Sequence, residues 1–172
     1  MRNVIPIEII KNIGNLVISE LKQRLYFLLK QSKSFDDFLE KAKQLHVQID
    51  FSQKHSRFMM TNRAMTKPIR GRQLSKRDIY DEEFFRTHFA KQEIESRLEF
   101  LLKYVHSLEE LHVKTKELNL TIELKQKNVL FTLEEDGKKI SLSHKKLAIR
   151  NCTIFNFLIV ILKIEKLEIF KH

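Results

Sequence analysis

Apolar residues recur at intervals of three and four through Leu21, Leu25, Leu28 and Leu29, and again through Ile94, Leu98, Leu101, Leu102 and Val105. That spacing gathers the side chains into one stripe and predicts two amphipathic helices. Each stripe stops at a polar break, Ser32–Ser34 in the first case and His106-Ser107 in the second. Ser34 with Asp37, and Ser107 with Glu110, then make start signals for a second helix. The hydroxyl can accept from an orphan backbone N–H, and the acid sits at the positive helix end. These second helices are expected over 35–45 and 108–118.

The period then changes from helical to alternating. Val47, Ile49 and Phe51 alternate with Gln48 and Asp50, and Leu120, Ile122 and Leu124 alternate with Thr121 and Glu123. Both stretches read as half-buried strands. Polar turn candidates follow at Ser52–His55 and Lys125–Asn128, and return strands carry Phe58 and Met60, or Val129, Phe131 and Leu133. Asp136-Gly137 marks a further turn in the second case, whereas the first runs on through Lys67-Pro68-Ile69-Arg70-Gly71-Arg72.

The two halves share more than an element order. A shift of 73 residues lays 24–64 on 97–137 and matches 14 of 41 positions, among them Arg24/Arg97, Phe27/Phe100, Leu45/Leu118, Ile49/Ile122 and Phe58/Phe131. An internal repeat is therefore expected. Residues 78–105 read as mostly helical, with Asp78 as cap, Glu82-Glu83 in the first turn and Ile79, Tyr80, Phe84, Phe85 and Phe89 as a core-packing aromatic face. The expected fold is α+β: two repeated helix–helix–β-hairpin modules joined by long helices. Each hairpin needs a helix against it, because an isolated hairpin is marginal. The expected divisions are 1–77, 78–147 and 148–172.

The tail from 148 departs from the repeat. After Leu74 the first module continues Ser75-Lys76-Arg77-Asp78-Ile79-Tyr80-Asp81, but after Leu147 the second gives Ala148-Ile149-Arg150-Asn151-Cys152-Thr153-Ile154-Phe155-Asn156. Reading one nucleotide earlier permits Ser-Asp-Lys-Lys-Leu-Tyr-Asp, which restores the spacing. The tail is expected to be a frameshift product, with an ordinary terminal strand or helix as the alternative. Its apolar stretch Ile154–Leu162 is far shorter than the ~20 residues a bilayer span needs. The N-terminus lacks a long apolar core and a cleavage site, so a cytoplasmic protein without membrane contact is expected.

Charge narrows the function classes. The 172 residues hold 32 Lys and Arg against 22 Asp and Glu, a net charge of +10. A polyanionic partner suits that excess. One cysteine, Cys152, excludes an internal disulfide framework and a cysteine zinc finger, and 3 Gly leave little for a phosphate-cradling loop. The excess is concentrated. Residues 51–77 hold Lys54, Arg57, Arg63, Lys67, Arg70, Arg72, Lys76 and Arg77, with no Asp or Glu. Such a run can neutralise phosphates and release counterions. Within it, Gly71 would let the backbone approach a ligand while Arg70 and Arg72 fork onto phosphate oxygens or a guanine edge. The alternatives are a solvated basic face or a protein-docking surface.

Catalytic constellations are poor. His46, His55, His88, His106, His112, His144 and His172 show neither His-x-His spacing nor a His-Glu-x-x-His pattern. Surface or packing roles fit them better than metal ligation. Tyr80, beside Arg77, Asp78 and Asp81, lies at a helix start and reads as structural rather than nucleophilic. No catalytic residue, metal or cofactor is expected.

The runs Ser34-Phe35-Asp36-Asp37-Phe38-Leu39-Glu40-Lys41-Ala42, Ile49-Asp50-Phe51 and Pro68-Ile69-Arg70-Gly71-Arg72-Gln73-Leu74-Ser75 resemble the region downstream of the nuclease domain in relaxases. These are the mobilization proteins of Gram-positive conjugative elements, particularly streptococcal and enterococcal ones. The resemblance implies a parent enzyme whose tyrosine attacks DNA at the transfer origin, with histidines holding a metal. Neither group is recognisable here, so the chain resembles a truncated, noncatalytic accessory part. Transfer-origin DNA is its expected partner through the basic loop. The alternatives are a module docking the relaxase to conjugative transfer proteins, an independent nuclease, and a pseudogene remnant.

Overall fold

In a computed structural model of the chain, residues 7–75, 79–125, 128–135 and 137–147 are described. Asp78, Lys76, Arg77, Asp136 and the whole tail from 148, with Cys152 and the apolar stretch 154–162, lie outside the described residues. The chain divides into two units, Met1–Phe89 and Ala90–His172. Among the described residues, no helix is long and apolar enough to cross a membrane.

The first unit contains helices α1 (Ile7–Gln31) and α2 (Phe35–Gln44), strands β1 (Val47–Asp50), β2 (Arg57–Met60) and β3 (Ile69–Arg70), and the short helix α3 (Gly71–Leu74). The anticipated stripe is the core of α1: Leu21, Leu25 and Leu28 are buried. Helix α2 starts as its side chains dictate. Ser34 Oγ accepts from Asp37 N at 3.1 Å, and the Asp37 carboxylate accepts from Lys33 N and Lys41 Nζ at 2.8 Å each. Phe35, Phe38 and Ala42 on α2 are buried against the inner face of the sheet. Phe38 stacks on Phe85 with ring centroids 4.7 Å apart, within a cluster that also holds Phe51, Phe58 and Phe89.

Helix α4 (Glu82–Tyr104) supplies Phe85 and Phe89 to this core and Ala90, Ile94, Leu98 and Leu101 to the second. Its first turn is capped by Asp81, whose Oδ1 accepts from Phe84 N at 2.8 Å. Of the expected aromatic face, Phe85 and Phe89 are buried and Tyr80 and Phe84 half-buried, but Ile79 is exposed and precedes the helix. The second unit continues with α5 (Leu108–Glu117), strands β4 (Leu120–Lys125), β5 (Asn128–Glu135) and β6 (Lys138–Ser143), and a 3-10 turn at His144–Lys146.

Local contacts recur 73 residues apart. Arg24 donates to the Leu45 carbonyl and Arg97 to the Leu118 carbonyl, while Glu20 and Glu93 pair with these arginines one turn earlier. Ser107 caps α5 as Ser34 caps α2. Each unit then reverses through a left-handed residue, His46 at φ 56° and Asn119 at φ 48°. Histidine and asparagine tolerate that region better than branched residues do. Register follows as well: Ile49 faces Phe58 and Ile122 faces Phe131, Phe58 faces Ile69 and Phe131 faces Leu142.

The α+β class is as the pattern implied, but the hairpins are incomplete descriptions. Both sheets have three antiparallel strands, in the orders β1-β2-β3 and β4-β5-β6. Strand β3 is only two residues between Pro68 and Gly71, too short for an alternation to register. As the edge strand, it follows a proline that has no N–H to donate. The third strand adds pairing that a lone hairpin lacks.

Burial sorts the aromatic positions by consequence. Phe38 is fully buried, whereas Phe27 is 53% exposed. In urea titrations monitored by circular dichroism, Phe38→Ala is expected to lose about 3–5 kcal/mol of stability, and Phe27→Ala to stay within about 0.5 kcal/mol of the parent. Equal losses would contradict this core.

Candidate nucleic-acid interface

The sheet of the first unit has a dry and a wet face. Val47, Phe58, Met60 and Ile69 are buried and turn inward, so their neighbours in each strand turn outward. Register then lines up Asp50, Arg57 and Arg70 across the three strands: Asp50 faces Arg57, and Arg57 faces Arg70. Both arginines are exposed. Arg72 is exposed one helical step beyond, and Lys54 and Lys67 are exposed in the flanking connections. None of these five cations is ion-paired among the described residues.

Asp50 brings one negative charge to the row, opposite Arg57. Its carboxylate accepts from Ser52 Oγ at 2.6 Å and Ser52 N at 2.9 Å. Those two hydrogen bonds, with a smaller contribution from the charge of Arg57, hold its carboxyl below the usual carboxylate value. The acid is engaged in shaping the β1–β2 turn.

The other predicted residues divide differently. Arg63 is directed at a carboxylate: its Nε and Nη2 donate to Glu20 at 3.1 Å each, and Glu20 also holds Arg24. Lys76 and Arg77 lie outside the described residues. Gly71 is buried, so its expected role beside a ligand is corrected. A Cβ at this position would collide with the Tyr80 carbonyl and Ser56 Oγ, and Gly71 N donates to the Ser56 carbonyl at 3.1 Å. The glycine admits close approach within the protein, where Ser56 Oγ also donates to the Tyr80 carbonyl.

Tyr80 is half-buried and stacks on Phe85 with centroids 5.7 Å apart. His88 lies 3.4 Å from the Leu29 carbonyl and edge-on to Phe89, and His144 Nδ1 accepts from Val129 N at 3.3 Å. Among the described residues, no group of three His, Cys, Asp or Glu side chains is placed to hold a metal. Each unit also has an open groove beside an edge strand of its sheet, β1 or β4. Leu39, Ala42, Lys43, Val47 and Ile49 line the first, about 470 Å³. The residues 73 positions on, His112, Thr115, Lys116, Leu120 and Ile122, line the second, about 210 Å³.

Two contributors escaped sequence reading. Glu20 takes Arg63 out of the basic run across 43 residues of chain, and the only trace is that Glu20 precedes Arg24 as Glu93 precedes Arg97. The Arg57–Arg70 pairing needed strand β3, which alternation could not reveal.

Hydrogen bonding from Arg63, reinforced by Arg24 and by both cations' charge, holds the Glu20 carboxyl below its ordinary value of 4.5 against the opposing effect of desolvation. A depressed folded-state pKa contributes stability above the unfolded value and loses it as pH falls through the folded one. Glu20→Gln is therefore expected to melt below the parent at pH 7. The two melting curves should converge as pH falls below about 4.5. A difference independent of pH would contradict the pairing.

Comparison with known proteins finds similarity to relaxases. The chain is 40% identical over 58 residues to the group II intron-interrupted relaxase LtrB of Lactococcus lactis subsp. cremoris, strain MG1363, and equally to a second LtrB from that subspecies. The match covers 34% of this chain and 10% of the relative, so it spans about a tenth of LtrB's length. No family model and no solved structure matches. The chain carries a relaxase-related region.

Proposed function

We propose that the chain is a noncatalytic accessory part of a conjugative relaxase, or mobilization protein, that holds transfer-origin DNA in the cytoplasm. Five exposed cations without ion pairs among the described residues carry this reading: Lys54, Arg57, Lys67, Arg70 and Arg72. Arg57 and Arg70 stand opposite each other on the sheet, and Lys54, Lys67 and Arg72 are exposed in the segments that flank its strands. Phosphate contacts position a protein on DNA without reading sequence. The relaxase relative supports the partner class, and the resemblance brings no catalytic residue onto this chain. The contacts recurring 73 residues apart support a duplicated module, and the basic run of the first copy differs from the second in holding no Asp or Glu.

A second reading, docking of conjugative transfer proteins, is favoured by the two grooves beside edge strands β1 and β4. Capture of a transfer component in the absence of DNA would distinguish it.

Fluorescence anisotropy with duplex and single-stranded oligonucleotides over a salt series tests the DNA reading. The full chain is expected to bind at low salt, with log K falling linearly against log salt. Replacing Arg57, Arg70 and Arg72 together by Ala should weaken binding and flatten the duplex slope by about 2–3. Absence of binding at low salt, or a slope indifferent to these changes, would overturn it.

A further inference from the structure

The second unit is an internal control for the first. Its outward row, at the same register, is Glu123, Leu130 and Ser143, where the first has Asp50, Arg57 and Arg70. Identical pairing with Leu130 opposite Ser143 shows that this sheet does not need an arginine at either position. Opposed arginines are also unfavourable by themselves, because like charges directly across a strand pair repel. Side chains so opposed leave the sheet from Cβ atoms about 4.5–5.5 Å apart, within common reach of one small anion. Asp50, opposite Arg57, accepts from Ser52 and keeps its charge, so it offsets this repulsion at Arg57 only in part.

We propose that Arg57 and Arg70 form a two-guanidinium clamp on a single phosphodiester group of the bound nucleic acid. The clamp rests on the DNA reading above and makes it specific. One phosphate is shared by two strands, while Lys54, Lys67 and Arg72 meet other phosphates separately. Guanidinium suits this work because its planar fork presents paired donors to phosphate oxygens. The like-charge repulsion in the free protein is relieved when the anion arrives between the two side chains.

The test transplants the second unit's residues. Arg57→Leu, Arg70→Ser and the double variant are compared with the parent, and Lys67→Ala serves as an independent cation. Anisotropy with a duplex oligonucleotide measures affinity and salt slope, and thermal melting with and without inorganic phosphate measures fold stability and free-anion binding. Each single arginine change is expected to weaken DNA binding about tenfold, the strength of one charge-assisted hydrogen bond. The double should be little worse than either single and should flatten the slope by about one, since one phosphate is lost. Lys67→Ala combined with either should multiply the losses. Without anion, the double should melt no lower than the parent.

DNA binding with fully multiplicative losses at Arg57 and Arg70 would overturn the clamp and leave the DNA reading standing. If DNA does not bind, but inorganic phosphate raises the parent's melting temperature and not the double variant's, the pair holds a free anion and the phosphodiester assignment falls. Failure of both DNA and phosphate to act would overturn the clamp and the DNA reading together.

Discussion

A single strand register governs the surface chemistry of the first unit. Phe58 and Ile69 must both be buried beneath the helices, and they oppose each other across β2 and β3. A one-residue slip would move the whole apolar set of a strand into water. The burial that holds Phe58 inward therefore holds Arg57 outward, and the same holds for Ile69 and Arg70. The arginine pair needs no hydrogen-bonded scaffold of its own, since the hydrophobic face sets its position.

Electrostatics follow a division of labour. Charges within the folding framework are cancelled locally: Arg24 and Arg97 each bind a glutamate and the last carbonyl region of the second helix, and Asp37 pairs with Lys41 while also accepting from the Lys33 backbone N–H. Arg63 belongs to this framework through Glu20. The cations at Lys54, Arg57, Lys67, Arg70 and Arg72 belong to none of it among the described residues. A basic run in sequence thus separates into a structural arginine and a set left for solvent or ligand. Sparing Arg57 and Arg70 is not forced by the fold, because Leu130 and Ser143 occupy the equivalent places.

Much of this was legible in the residues themselves. Periodicity located α2, α5, β1, β4 and their return strands, because each depends on local pattern and on Ser34 or Ser107 as caps. The 73-residue offset in sequence also anticipated the recurring contacts. What stayed hidden was non-local or too short. Strand β3 has two residues, and the pairing of Arg63 with Glu20 joins positions 43 apart. Gly71 looked like a ligand-facing glycine because sequence cannot tell a close internal neighbour, here Tyr80 and Ser56, from an external one. The cations were visible as a composition bias, but their opposition across strands was not.

The most direct measurement is nuclear magnetic resonance of the arginine Nε–H groups during titration of the full chain with a short duplex. The account predicts that the Arg57 and Arg70 signals shift together, with the same midpoint, while Arg24, Arg63 and Arg97 stay in place. Shifts confined to other arginines, or separate midpoints for Arg57 and Arg70, would contradict it.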